Sequence, residues 1–374
     1  MRAVVIGAGL GGLAAALRLR ALGVKVTVCD NGPAPGGKAN RWRAGPYCFD
    51  TGPTLLTMPE VLRRLFSDLG EELERHLELA PLDPRAEYLY PDGFRVRVPA
   101  PWSQWVEVVR SLEPRELPGL QRVHDLGARI FRVSQETFFR ERPLASLQWP
   151  PLGALRHLPL RHAWGNYARV VESLLCCDRL RRIYLRYPTY VGSSPCLCPA
   201  ALLIIPYLEH ACGVWKVRGG IYRIVEALVK LARGRGVELF ANTRVVGIEH
   251  RQGRVRAVRL STGDSIEAEV VVYNGDSAAL PPLLGAPVDA PTRRRSLSGV
   301  VILLGLRERI EGLELHTVFF SADYRKEFDE LFRLRRFPED PTVYVSAPDE
   351  PELAPPGGQS LFIMANAPGD PGFA

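Results

Sequence analysis

The chain has 374 residues, 46% hydrophobic and 24% charged, which is ordinary for a soluble globular protein of two domains or one large composite. Its formal net charge of +7 suits an anionic partner such as phospholipid, nucleic acid or a phosphate-bearing cofactor, or else a solvated basic surface. Seven scattered cysteines without a repeated CxxC pair argue against a zinc site and a disulfide framework, and no run of about 18 uninterrupted apolar residues offers a membrane-spanning helix.

Residues 3–17 are apolar and follow an arginine, as in a secretory leader, but Gly7, Gly9, Gly11 and Gly12 break the run and a second strand pattern follows. The segment therefore reads as folded structure. Residues 3–6 are a candidate buried strand. The turn Gly7-Ala8-Gly9-Leu10-Gly11-Gly12 opens a helix of strong helix formers over 13–22, which Gly23 ends as a C-cap. A β-rich strand over 24–29 then leads to Asp30. Gly7 permits the tight turn out of the strand, Gly9 lets the backbone approach a pyrophosphate, and Gly12 lets the helix pack close to the sheet. The helix start offers free N–H groups and its positive dipole end to phosphates. Asp30 can accept hydrogen bonds from a ribose 2′-hydroxyl and would repel a 2′-phosphate. A dinucleotide site is expected.

After Asp30 comes Asn31, then Pro35-Gly36-Gly37-Lys38. A second glycine pair followed by a base lets backbone and cation approach a diphosphate and a flavin; the alternative is a Pro/Gly surface loop. Further along, Arg156, Arg161, Arg169, Arg179, Arg181, Arg182 and Arg186 interleave with apolar residues that include Trp164, Tyr167 and Leu174. Such a basic amphipathic stretch suits an anionic membrane surface or a solvated helix face. The apolar run 196–208 reads as a tunnel lining, a bilayer contact or ordinary core. Next come a helical pattern over 221–232, a short strand over 237–240 and an alternating strand over 254–260. A turn at Thr262-Gly263-Asp264 precedes a further strand beginning over 266–270. No nucleic-acid-binding module is visible.

Pro35-Gly36-Gly37-Lys38-Ala39 and Phe49-Asp50-Thr51-Gly52-Pro53-Thr54 resemble the carotenoid (phytoene) desaturase family of flavoproteins. The similarity continues through 190–195, 213–215, 219–222, 242–248, 270–276, 319–324 and 339–344, and the later segments are the more particular to that group. The resemblance implies an α/β fold: an FAD/NAD(P)-binding Rossmann-like domain of glutathione-reductase/amine-oxidase type with an inserted α+β substrate domain. It implies an FAD-binding part at 1–90 plus 213–290 and a substrate or membrane-associated part at 91–212 plus 291–374. Gly7, Ala8, Gly9, Gly11, Gly12, Asp30, Asn31, Gly36, Gly37, Lys38, Gly52, Pro53, Thr54, Val245, Asn274 and Asp276 are the expected cofactor residues. Val245 maps to the valine whose backbone contacts adenine, and Asn274 and Asp276 to a turn near the cofactor.

The implied reaction is dehydrogenation of a long apolar polyene, with FAD as cofactor and quinone or oxygen as the final electron acceptor. No spacing selects a proton acceptor among Asp50, Glu209, His210 and His316. Related readings are a carotenoid isomerase, ketolase or oxidase, and a prenyl-lipid-binding escort protein without flavin chemistry. The expected location is cytoplasmic, with peripheral membrane contact. The family ends in a further cofactor segment, a strand, a glycine-rich turn and a helix, which this sequence lacks at 368–374; a truncated product or fragment is therefore expected.

Overall fold

The computed structural model describes residues 1–137, 165–287 and 295–369. Its first layer is a parallel sheet in the order Glu238–Phe240, Lys25–Cys29, Arg2–Ile6, Val270–Tyr273. Val4, Val5, Val26 and Val28 are buried, the pattern of strands covered on both faces. On one face lie the helices Leu10–Ala21 and Tyr222–Gly234, which contribute Leu13, Ala16 and Leu17 and then Ile224, Leu228 and Ala232 to a common core. On the other lies an antiparallel sheet, Val245–Arg251, Arg254–Leu260 and Ser265–Glu267, whose Val245, Ile248 and Val258 pack on Val4 and Cys29.

The expected strand starting over 266–270 is in fact two strands. Ser265–Glu267 stays in the antiparallel sheet, while Val270–Tyr273 crosses to pair with Arg2–Ile6. The break falls at Ala268, whose amide donates to the Arg256 carbonyl, and at Glu269, whose amide donates to the Arg2 carbonyl. The chain thus changes partners between consecutive residues.

A second, six-stranded sheet runs in the order Ser298–Leu306, Gln359–Ala367, Val343–Ser346, His316–Phe319, Ala86–Leu89, Arg95–Val98. Its pairings are antiparallel except that between His316–Phe319 and Ala86–Leu89. One face packs on the helices Trp102–Leu112, Leu117–Thr137, Tyr167–Leu174, Asp178–Arg186 and Ile204–Ala211. Ala86–Leu89 precedes the boundary expected at residue 90, yet it hydrogen-bonds into this sheet. Within the apolar run 196–208, Cys198, Ala200 and Leu203 are buried in this core, while Leu197 is exposed. No helix among the described residues is long and apolar enough to cross a membrane.

The arginine-rich stretch is divided. Arg156, Arg161 and Trp164 lie outside the described residues. Arg179 pairs with Asp92 and Arg182 with Asp178, so part of the expected basic face is neutralised locally.

Candidate functional site

The C-terminal ends of the parallel strands open into a cleft of about 1090 Å³. That is the place where open α/β sheets bind ligands, and the volume lies just above the range of about 300–1,000 Å³ usual for small-molecule sites. Gly7, Gly9, Asp30, Asn31, Gly36, Gly37, Lys38, Pro53, Val245, Asn274 and Asp276 line it. Residues from positions 7 to 276 are thus brought to one wall by the parallel pairing of Arg2–Ile6 with its two neighbours.

The other expected residues stand behind that wall or beside it. Gly52 lines an adjoining recess with Gly37, Lys38 and Pro53, and Thr54 faces a smaller cavity. Ala8 is buried, and its backbone is committed: its amide donates to Asp30 Oδ2 at 2.6 Å and its carbonyl accepts from the Gly36 amide at 2.9 Å. Gly11 and Gly12 serve packing. A Cβ on Gly12 would lie 2.0 Å from the Gly7 carbonyl oxygen, and one on Gly11 would lie 2.7 Å from Asn274 Oδ1. Gly7 has φ +100, where an L side chain is strained.

Asp30 does more than face the cleft. Its second oxygen accepts from the Gly32 amide at 2.7 Å, so one carboxylate staples the glycine turn to the end of the second strand. Each oxygen keeps acceptor capacity for a ribose hydroxyl. Asp276 caps the short helix Ser277–Ala279 through the Ala278 amide. The sequence reading passed over Arg244, Tyr273, Pro282 and Leu283, which also line the cleft. For Arg244 the available signal is a cation immediately before Val245.

The residues fit a dinucleotide. The helix Leu10–Ala21 begins at Gly9 without a side-chain cap, leaving first-turn amides open to an anion. The glycines at its start let the turn pack against Asn274 and the strand end, which holds those amides at the cleft.

Of the four titratable candidates, Asp50 accepts from Arg41 Nε at 2.8 Å and from the Tyr222 amide at 3.2 Å, a structural pairing. Glu209 accepts from Arg85 Nη1 at 3.0 Å and from the Tyr187 hydroxyl at 2.9 Å. His210 Nε2 lies 2.8 Å from Arg85 Nη2; because arginine only donates, that nitrogen accepts. Burial, with the Arg85 charge second, pushes His210 down to about 2.

His316 is joined to Thr54 through Tyr344. Its Nδ1 is 2.7 Å from the Tyr344 hydroxyl, which is 2.6 Å from Thr54 Oγ1. Burial, with the Arg186 charge second, holds His316 down to about 3. This has a consequence for acid stability. The unfolded chain takes up a proton near pH 6.5, whereas the folded protein refuses it until about pH 3. Stability is therefore undiminished above about pH 6.5 and falls, by about 1 kcal/mol per pH unit for this group, as the pH drops through that window. His210 acts in the same direction. Urea midpoints taken between about pH 7 and about pH 4.5 should show this loss, and His316→Gln should make it shallower, leaving the part due to His210. A pH profile indifferent to the substitution would remove His316 from the account.

The comparisons with known proteins agree with this geometry. The family model described as flavin containing amine oxidoreductase matches residues 10–372. Hydroxyneurosporene desaturase of Cereibacter sphaeroides is 35% identical over 383 residues, covering 99% of this chain and 77% of the relative. The zeta-carotene-forming phytoene desaturase of Myxococcus xanthus is 33% identical over 376 residues, covering 98% of this chain and 72% of the relative. Among solved structures, an oxidoreductase from Methanosarcina mazei superposes with a TM-score of 0.66 at 17% identity, over 100% of this chain and 80% of its own, which supports the fold.

Proposed function

Because the chain belongs to the flavin-containing amine oxidoreductase family, within its carotenoid desaturase group, we propose that it is an FAD-dependent desaturase that dehydrogenates a long apolar polyene. The observation that carries this reading is the cleft at the strand ends, with its uncapped helix start, Asp30 and the second glycine pair.

The expected cofactor residues have distinct tasks in this reading. Amides at the start of Leu10–Ala21 hold the diphosphate, and Gly36, Gly37 and Lys38 approach it from the facing loop. Asp30 takes the ribose, and the Val245 backbone takes the adenine. Gly52, Pro53 and Thr54 border the reacting end. Asn274 sits against the glycine turn, with its side-chain amide within contact of Gly9 and Gly12, and keeps that turn in place. Bound FAD supplies the hydride acceptor.

A polyene has no charge to grip, so the second half of the protein must hold it by apolar area. One saturated carbon gives up a hydride and its neighbour a proton. His316 and Tyr344 stay neutral at ordinary pH, and through Thr54 they can orient groups at the cleft mouth without placing a charge there. The reading includes a cofactor part at 1–90 plus 213–290, a substrate part formed by the rest, reoxidation by quinone or oxygen, and contact with a membrane surface that carries the substrate.

The test is the visible spectrum of the purified protein after gel filtration with FAD, followed by incubation with a phytoene-type polyene. Retained flavin absorbance and a product lighter by hydrogen pairs, with a red-shifted polyene band, are expected. Retained flavin with an unchanged polyene formula would replace desaturation by isomerisation, and a colourless protein that binds polyene would point to a carrier.

A further inference from the structure

Arg186 closes the helix Asp178–Arg186 on the inner side of the six-stranded sheet. Neighbouring arginines meet carboxylates: Arg85 meets Glu209, Arg179 meets Asp92, and Arg182 meets Asp178. No carboxylate pairs with Arg186 among the described residues. It lies instead among three tyrosines. Its guanidinium carbon is 5.2 Å from the centre of the Tyr190 ring, 5.4 Å from that of Tyr344 and 6.0 Å from that of Tyr88. Nη1 donates to the Tyr190 hydroxyl at 3.2 Å, the one side-chain hydrogen bond of Arg186 among the described residues.

One phenol cannot occupy a guanidinium fork of five N–H donors. Arg186 is half-buried, and its remaining nitrogens are not among the sealed polar atoms that lack a partner, so they face accessible space. Tyr344 ties this cation to the cofactor cleft, because its hydroxyl is bonded to Thr54, the neighbour of the cleft residue Pro53. Tyr344 thus lies between the guanidinium, 5.4 Å from its ring centre, and Thr54, which its hydroxyl contacts.

A hydrocarbon end laid here would strip water from those donors and return nothing, at about 1–3 kcal/mol for each donor left unmade. A neutral oxygen on the ligand would replace the lost water. The electron-rich faces of the three rings already offset part of the positive charge, so a charged ligand is not required.

We propose that Arg186 is a specificity-determining residue: it donates hydrogen bonds to a neutral oxygen substituent, a hydroxyl, ether or carbonyl, on the polyene end nearest the cofactor, and selects against unsubstituted ends. This rests on the desaturase reading above. It is separable from that reading because binding and turnover are measured apart.

Two polyenes of equal length, with and without a terminal hydroxyl, are titrated into the FAD-loaded protein in detergent micelles. Binding is read from the induced circular dichroism of the polyene band, and products are followed by chromatography. The wild-type protein should prefer the hydroxylated polyene by about 10- to 100-fold in Kd, the equivalent of about 1–3 kcal/mol for a donor left unmade. Arg186→Met should reduce that preference to less than about threefold by weakening the hydroxylated ligand alone, with flavin absorbance retained. Arg186→Lys, which keeps the charge and loses the fork, should retain about a tenfold preference, and it carries the comparison if the methionine variant does not fold. Equal binding of the two ligands by the wild type, or equal loss of both in Arg186→Met with flavin retained, overturns the assignment. Binding of neither polyene overturns both readings. Selective binding without dehydrogenation removes the desaturase reading and leaves Arg186 as assigned.

Discussion

Gly12→Ala should weaken the protein's hold on FAD. The added Cβ would lie 2.0 Å from the Gly7 carbonyl oxygen, a backbone atom that cannot rotate away. Relief requires the helix start to move off the strand end, and with it the amides that face the cleft. Overpacking of this kind costs about 1–3 kcal/mol, and here the cost falls on the ligand-facing geometry. The expected result is about a 10- to 100-fold weaker FAD Kd, at 1.4 kcal/mol per decade. Flavin fluorescence in equilibrium dialysis measures it. Gly234→Ala is the matched control: it lies at the end of Tyr222–Gly234, where a Cβ meets nothing within 4 Å, and it should bind FAD like the parent. Equal affinity in the two variants would mean that the turn does not position the cofactor.

Glu209→Ala should be the most destabilising single change in the second half of the protein. Arg85 is 2% exposed and Glu209 7%, and the carboxylate also accepts from the buried Tyr187 hydroxyl. Removing it leaves an uncompensated guanidinium whose remaining partners are the Pro99 carbonyl and neutral His210. Breaking a buried pair in this way costs about 3–5 kcal/mol. Replacing both partners by leucine removes the stranded charge together with the pair. The double variant should therefore be more stable than Glu209→Ala, even though it lacks the same interaction. Urea midpoints of the parent, the alanine variant and the double variant decide the matter. A loss below about 1 kcal/mol for Glu209→Ala would show that water reaches Arg85 and that the pair is not dry.

The cofactor cleft was the more legible half because its signals are local. Gly7, Gly9 and Gly12 are fixed by the geometry of one turn, and Asp30 by the length of one helix and one strand. The structure adds what Asp30 does to the turn itself, since the Ala8 and Gly32 amides both reach its carboxylate. Ala8, grouped with the cofactor residues by its position in the motif, has its amide committed to that carboxylate. The partner exchange after Glu267 was illegible because alternation continues unbroken across it: periodicity reports which face a residue presents, not which strand it pairs with.

The second half was legible only through family resemblance. Glu209, His210 and His316 could be named as titratable residues but given no role, since their partners Arg85 and Tyr344 lie far away in sequence. Arg186 read as one of seven cations on a basic face, and only the packing of its helix beneath the sheet places it among Tyr88, Tyr190 and Tyr344.

By itself, then, the sequence determined the strand–turn–helix–strand unit, its glycines and its acid, because backbone sterics and helix periodicity act over a few residues. The tertiary structure decided which distant groups meet: Thr54 with Tyr344 and His316, Arg85 with Glu209, and Arg186 with its tyrosines. Those meetings depend on how buried faces stack against one another, and the desolvation of charges that follows from stacking has no signature in local spacing.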